Sequence, residues 1–187
     1  YGNTKKIAEQ IIQDVCSANT QLNAIALRYF NPIGSHKSGL IGDNIDGKNL
    51  NLIPSIIKVF LGKSPYLHIF GNDFDTPDGT GVRDYIHIDD LIDGHLKAFN
   101  HIEINSGLNI WNLGTGKGYS VLEILKIFEN FIGREIPYEI KNRRKGDLSK
   151  YWADVSKAKK ELDWFSKYGI EEMIRDSLNY VESKVEL

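Results

Sequence analysis

After the opening Tyr1-Gly2-Asn3-Thr4-Lys5, apolar side chains fall at Ile7, Ala8, Ile11, Ile12 and Val15, the spacing of a helix with one apolar stripe. On such a helix Tyr1 and Lys5 stand one turn apart on one face, with Cβ atoms about 5 to 6 Å apart. The period then changes. Leu22 to Phe30 is a short, mostly apolar run, the pattern of a parallel strand covered on both faces, and Asn31-Pro32 is expected to stop it. Ile33 to Leu50 is glycine-rich and polar, longer than a simple connection needs, and loops of that length tend to carry function. Asn51-Leu52-Ile53-Pro54 leads into a short helix, Ser55 to Leu61, closed by Gly62. Leu67 to Phe70 reads as a strand, Gly71 to Gly81 as a turn region, and Val82 to Ile88 as a second strand. Asp89 or Asp90 is the expected cap of a helix running to about His101.

The second half repeats the alternation. Leu108 to Leu113 is an apolar strand, and Gly114-Thr115-Gly116-Lys117-Gly118 turns into a helix whose start, Ser120-Val121-Leu122-Glu123, has the capping-box pattern, with Leu125, Phe128 and Ile132 on its apolar face. Strand, glycine turn and helix imitate a dinucleotide fingerprint. The spacing is G-x-G-x-G where the fingerprint needs G-x-G-x-x-G, so the turn is taken as geometric. Pro137 to Ile140 adds a short strand and Asn142 to Asp154 a charged loop. Two helices finish the chain, the last striped by Ile170, Met173, Ile174, Leu178 and Val181. Helices alternating with strands predict an α/β fold with a mainly parallel sheet.

Composition narrows the picture only a little. Hydrophobic residues make up 41% of the 187 and charged residues 26%, with a formal charge of -2, enough to build a core and without the basic excess that nucleic acid asks for. Apolar stretches are broken well before the ~20 residues a bilayer span needs. The single cysteine, Cys16, excludes an internal disulfide and reads as a small buried thiol on the first helix, which fits a reducing cytoplasm. No Cys/His/carboxylate spacing suggests a metal site, and His87 and His95 read as structural. A start inside a helix, with no methionine, is expected of a carboxyl-terminal portion.

Tyr1 and Lys5 are the first candidates for chemistry. A free tyrosine titrates near ~10, and bringing it to about 7 takes roughly 4 kcal/mol of added phenolate stabilisation, which a lysine charge in a low-dielectric pocket can supply. Taken by itself, the pair also fits two solvated residues near a helix start. The other motifs stand in a definite order: Arg28-Tyr29-Phe30-Asn31-Pro32; Asp78-Gly79-Thr80-Gly81 running into Val82-Arg83-Asp84-Tyr85-Ile86-His87; Asn112-Leu113-Gly114-Thr115-Gly116; Arg143-Arg144-Lys145-Gly146-Asp147; and Tyr151-Trp152-Ala153-Asp154. With Tyr1-x-x-x-Lys5, the set closely resembles the UDP-glucose 4-epimerases of the extended short-chain dehydrogenase/reductase family, essentially from end to end.

That resemblance implies the carboxyl-terminal part of an NAD-binding Rossmann domain, residues 1–31 and 84–118, with a smaller α/β nucleotide-sugar-binding domain, residues 32–83 and 119–187. It implies a redox-neutral inversion of UDP-glucose and UDP-galactose through a 4-keto sugar, with NAD bound throughout. Tyr1 then serves as the acid/base, Lys5 as the ribose ligand that lowers the phenol pKa, and Tyr29 as the residue packed by the nicotinamide. For the substrate it implies Arg83, Arg144 and Asn31 on the diphosphate, Asn51 and Leu52 on the nucleotide side, His68 and Phe70 beside the uracil, and Asp147 on the ribose. Tyr151 matches the position facing the sugar's 2-substituent. Relatives are commonly homodimers. The family's glycine fingerprint and its substrate-polarising serine or threonine are not among these residues, so this chain alone is expected to be inactive. Each position also has a plainer role open to it: Arg83 beside Asp84 as a surface ion pair, Asn31 before Pro32 as a turn, Phe70 as core, and Arg143 to Lys145 as a solvated basic loop. The alternatives are another NAD-dependent nucleotide-sugar epimerase or dehydratase, or a non-catalytic nucleotide-sugar-binding module.

Overall fold

The computed structural model describes residues 1–47, 51–102 and 107–184; the last three residues of the loop expected at Ile33 to Leu50 lie outside them. Helix α1 (Gly2–Ala18) forms where the periodicity places it. It buries Cys16, while Ile7, Ile11 and Val15 stay largely exposed. A short reversal then leads to β1 (Asn23–Tyr29), which lies parallel to β5 (Gly107–Leu113), with Asn23 opposite Gly107 and Tyr29 opposite Leu113. Alternation along β1 sends Arg28 toward α1, where its Nε and Nη2 donate to the two carboxylate oxygens of Glu9 at 2.7 and 2.5 Å. Ile25 and Leu27 point the other way and pack with α3 (Ile88–His101).

The chain does not leave the sheet at Asn31-Pro32. It resumes as β2 (Asn31–Ile33), parallel to β4 (Val82–His87) with Asn31 opposite Tyr85. Proline is tolerated because β2 is an outer strand of the order β2-β4-β6. On β4's flanks, β6 (Gly118–Ser120) runs antiparallel, and β8 (Lys150–Tyr151), a strand inside the segment expected to be loop, runs parallel with Tyr151 opposite Arg83. A separate parallel pair joins β3 (Leu67–Phe70) to β7 (Tyr138–Lys141).

Two cores result. One gathers Ile33, Ile56, Leu67, Tyr85, Phe128 and Ile174 between α2 (Leu52–Phe60), α4 (Val121–Ile132) and α6 (Ile170–Lys184). The other gathers Ile86, Leu91, Trp111, Leu113 and Trp164 with α5 (Ser156–Leu162). Strand β4 serves both, because Tyr85 and Ile86 alternate onto opposite faces. Helix ends show where local patterns suffice. The capping box of Ser120 and Glu123 opens α4 as expected. Helix α3 is capped differently: His87 Nδ1, not Asp89 or Asp90, accepts the Asp89 N–H at 3.0 Å. Asp90 is turned inward instead, accepting from the Lys167 and Tyr168 amides, and burial pushes its carboxyl up from the ordinary aspartate range. Among the described residues no helix is long and apolar enough to cross a membrane.

Candidate active site

Helix α1 reverses into β1, and the Arg28–Glu9 pair joins the end of the strand to the middle of the helix, so the start of α1 and the end of β1 lie at one end of the layer. Tyr1, Lys5 and Tyr29 therefore share that end. Lys5 Nζ sits 5.3 Å from the Tyr1 ring centroid, one turn away, as the spacing requires. Tyr1 is 93% exposed; the described residues do not build the low-dielectric pocket expected around the pair. Tyr29 is 52% exposed and is oriented by His95, which the sequence pattern alone marks only as structural. Its Nδ1 lies 2.8 Å from the Leu91 carbonyl, which can only accept, so Nδ1 carries the proton and Nε2 accepts the Tyr29 hydroxyl at 2.6 Å.

The second grouping is built on β4. Parallel pairing places Tyr151 beside Arg83, with the guanidinium carbon 4.8 Å from the ring centroid, a cation–π arrangement. The Tyr151 hydroxyl donates to Asn31 Oδ1 at 3.3 Å across 120 residues of sequence, and Phe30 packs at 5.8 Å between centroids. Asn31, Arg83 and Tyr151 thus meet. Burial holds the neighbouring Tyr85 phenol far above its ordinary pKa, which keeps it neutral beside Arg83.

Asp84 is not half of a surface ion pair. It is fully buried, and its carboxylate accepts the Thr115 amide and hydroxyl at 2.9 and 2.6 Å, the Gly116 amide at 2.9 Å and the Ala153 amide at 3.0 Å. The glycine turn that imitates a dinucleotide fingerprint therefore does cradle an anion, but the anion is the protein's own. Gly114 is required for the approach, because a Cβ there would stand 2.6 Å from the Ala153 Cβ and 2.7 Å from Asp84 Oδ2. A buried acid inside an apolar strand, opposite a glycine turn, was the available signal for this cluster.

The remaining candidates sit on other elements. Arg144 lies with its guanidinium 3.8 Å from the Phe70 ring centroid, so Phe70 is a half-buried platform and not plain core. Arg143 pairs with Asp73 at 2.5 Å and covers Phe74, so the basic segment is not simply solvated. The Asp147 N–H closes a turn onto the Arg144 carbonyl at 3.3 Å. His68, on the same strand face as Phe70, is exposed, with Nε2 3.7 Å from Glu139 Oε2. Asn51 precedes α2 and, with Pro32 and Ile33, lines a cavity of about 380 Å³ between β2, α2, α3 and α6; Leu52 begins α2 and is partly buried against the first core.

The model of the NAD dependent epimerase/dehydratase family matches residues 1–114. The chain belongs to that family. It is 51% identical to the UDP-glucose 4-epimerase of Erwinia amylovora over 180 residues, 96% of this chain and 53% of that protein. It is 49% identical to the enzyme of the same name from Bacillus subtilis, over 99% of this chain and 55% of that protein. The chain therefore spans about half the length of the curated relatives it matches. The crystal structure of the Bifidobacterium longum UDP-glucose 4-epimerase in complex with NAD+ and UDP superposes with a TM-score of 0.93 at 47% identity, covering all of this chain and 55% of that one. The α/β fold with parallel strand pairs is thus the family's own.

Proposed function

We propose that this chain is the nucleotide-sugar-binding part, together with the catalytic Tyr-Lys pair, of an NAD-dependent UDP-glucose 4-epimerase interconverting UDP-galactose and UDP-glucose. The observation that carries the reading is the meeting of Asn31, Arg83 and Tyr151 on one strand layer, next to an end of the molecule that bears Tyr1, Lys5 and Tyr29. Similarity to proteins bearing that name, one of them crystallised with NAD+ and UDP, supports it. The two cores support a division into residues 1–31 with 84–118 and residues 32–83 with 119–187, although Tyr85 packs with the second of these parts and Ala158, Leu162 and Trp164 with the first.

On this reading Tyr1, as the phenolate, takes the proton from the sugar 4-hydroxyl, and the resulting phenol later returns it, so that the 4-keto sugar can be rebuilt with either configuration. Lys5 places its cation by the ring and binds ribose hydroxyls. NAD, when bound, supplies the acceptor and donor of the C4 hydride. The residues present fit its nicotinamide end: an ammonium, a phenol and the flat Tyr29 ring stand exposed at the carboxyl end of β1, where α/β folds bind ligands. Arg83 and Arg144 clamp the diphosphate with planar, charge-assisted donors. Asn31 holds a phosphoryl oxygen, Asn51 and Leu52 border the nucleotide, Phe70 and His68 flank the uracil, and Asp147 accepts from the ribose. Tyr151 faces the sugar 2-substituent.

The test joins this chain to the amino-terminal half of the Bifidobacterium longum enzyme. Tyr1→Phe in that fusion is expected to lower kcat by ~10² to 10⁴ with little change in UDP affinity, and Arg144→Ala to raise KM with kcat nearly kept. Wild-type turnover in Tyr1→Phe would overturn the assignment of the base.

A further inference from the structure

The segment carrying Tyr151 has few hydrophobic anchors of its own. Leu148, Tyr151 and Trp152 are all exposed, at 62%, 38% and 51%, and the strand it forms is two residues long. A segment of that kind is held by its hydrogen bonds. On one side of Tyr151 the Val82 amide donates to the Ser149 carbonyl at 2.8 Å. On the other side the Ala153 amide donates to Asp84 Oδ2 at 3.0 Å. The first bond is an ordinary ladder contact, whereas the second ends on a fully buried carboxylate that also holds the Thr115 and Gly116 amides and the Thr115 hydroxyl. No cation is within ion-pair distance of that carboxylate among the described residues; backbone amides and one hydroxyl carry its charge.

We propose that Asp84 is a positioning residue for sugar specificity: it clamps residue 153 to β4 and to the Gly114 turn, and so fixes the Tyr151 ring against Asn31 and Arg83, where it limits the size of the sugar's 2-substituent. The proposal rests on the reading of Tyr151 as a sugar-facing residue. Phe30, Asn31 and Arg83 flank the ring, but its hydroxyl contact with Asn31 is long at 3.3 Å, so the backbone clamp sets how far the ring can swing aside. Gly114 makes the same point sterically. With no side chain at 114, Ala153 and Asp84 close over the turn, and any Cβ there would push the Tyr151 segment away.

The proposal is tested on the 187-residue chain with UDP-glucose and UDP-N-acetylglucosamine, alongside amide exchange at residue 153. In wild type the Ala153 amide is protected, and the plain sugar nucleotide binds roughly 10-fold or more tightly than the acetylated one. Asp84→Asn turns an acceptor into an N–H₂ facing other N–H donors. It is expected to expose the Ala153 amide to exchange and bring the two affinities toward equality, the loss falling on that ratio more than on affinity for UDP alone. Ala153→Pro deletes the donated N–H and sets a ring carbon against Asp84 Oδ2 in its place, while Asp84 keeps its bonds to Thr115 and Gly116. It should shift the ratio in the same direction, and it decides the matter if Asp84→Asn fails to fold. A ratio unchanged in a folded variant, while Tyr151→Ser abolishes the discrimination, overturns the role of Asp84 and leaves Tyr151 as the gate. Wild-type chain that does not bind UDP overturns the functional reading and the specificity role with it, and protection of the Ala153 amide then still decides the clamp.

Discussion

The two regions that bear the candidate site are finished to very different degrees. Around β4, Arg83 and Tyr151 stack, Asn31 accepts from Tyr151, Asp84 is saturated with donors and the core beneath is closed by Phe128 and Ile174. Around β1, the apolar stripes of the two flanking helices are open: Ile7 and Ile11 on α1 are 59% and 57% exposed, and Leu96 and Phe99 on α3 are 60% and 70% exposed. Tyr1 itself stands almost free in solvent. If the proposed function holds, recognition and chemistry are built separately. On that function, this chain pre-organises the contacts for a nucleotide sugar with its own residues, while the described part of it does not enclose the Tyr1–Lys5 pair.

The broadest way to break that contrast is to measure the two ligands apart. The chain is expected to bind UDP, seen as calorimetric heat, and neither to retain NAD nor to convert UDP-galactose. Reduced-cofactor fluorescence in the purified chain, or measurable epimerisation, would show that the β1 region is complete after all. The open edge of β1 and the two bare helix faces also predict association at high concentration, visible by light scattering.

How much of this was legible in the residues follows the range of the interactions. Helix α4 could be read whole, since Ser120 and Glu123 are three apart and its stripe repeats locally. Tyr1 and Lys5 were equally local. The α3 cap departs from the residue pattern because Asp90, a good capping residue by type, is drawn away by two amides that follow Trp164, leaving the task to His87. The strand at Lys150–Tyr151 has no periodicity of its own and exists because Val82 and Ser149 meet. Nor does any local pattern reveal that Asn31 and Tyr151 touch. The resemblance to a family named those two residues, but only the fold explains their contact.

One apolar truncation in each region sharpens the comparison. Phe128→Ala removes a fully buried ring and is expected to destabilise the chain by about 3 to 5 kcal/mol. Ile11→Ala, on the open face of α1, should change stability by no more than ~0.5 kcal/mol. Denaturant midpoints compare them directly, and a large loss at Ile11 would mean that its face is covered in solution.

A smaller effect is expected at the edge of the finished region. Among the described residues Arg144 stacks on Phe70 and forms no ion pair, so its donors are available to phosphate. Losing charge-assisted bonds of about 1.5 to 3 kcal/mol in Arg144→Ala corresponds to roughly 10-fold to 100-fold weaker UDP binding. Arg143→Ala, whose guanidinium is already committed to Asp73, should weaken UDP binding much less. Equal losses at the two arginines would remove the distinction.

The subtlest contrast is in how two buried-side acids respond to pH. Asp78 ties the turn before β4 to the start of α4, accepting the Thr80 amide and hydroxyl at 2.8 and 2.7 Å and the Ser120 hydroxyl. Partial burial alone would raise its carboxyl, but those hydrogen bonds outweigh it and hold the pKa below the ordinary value. Asp90, on α3, goes the other way: burial raises it, and the Tyr168 and Lys167 amides offset only part of the rise. The signs then oppose. A lowered folded-state pKa means that Asp78 contributes stability above the unfolded value of about 3.9, lost as pH falls through the lower folded value. A raised one means that Asp90 favours folding in its protonated form, a contribution present below about pH 3.9 and lost as pH rises through its higher folded value. Denaturant midpoints taken across the acid range should therefore show Asp78→Asn flattening the fall at the most acid end, and Asp90→Asn removing a decline on the less acid side of that point. If both substitutions flatten the same limb, the two carboxyls share one environment, and the difference in burial and bonding between the β4 region and α3 does not govern their titration.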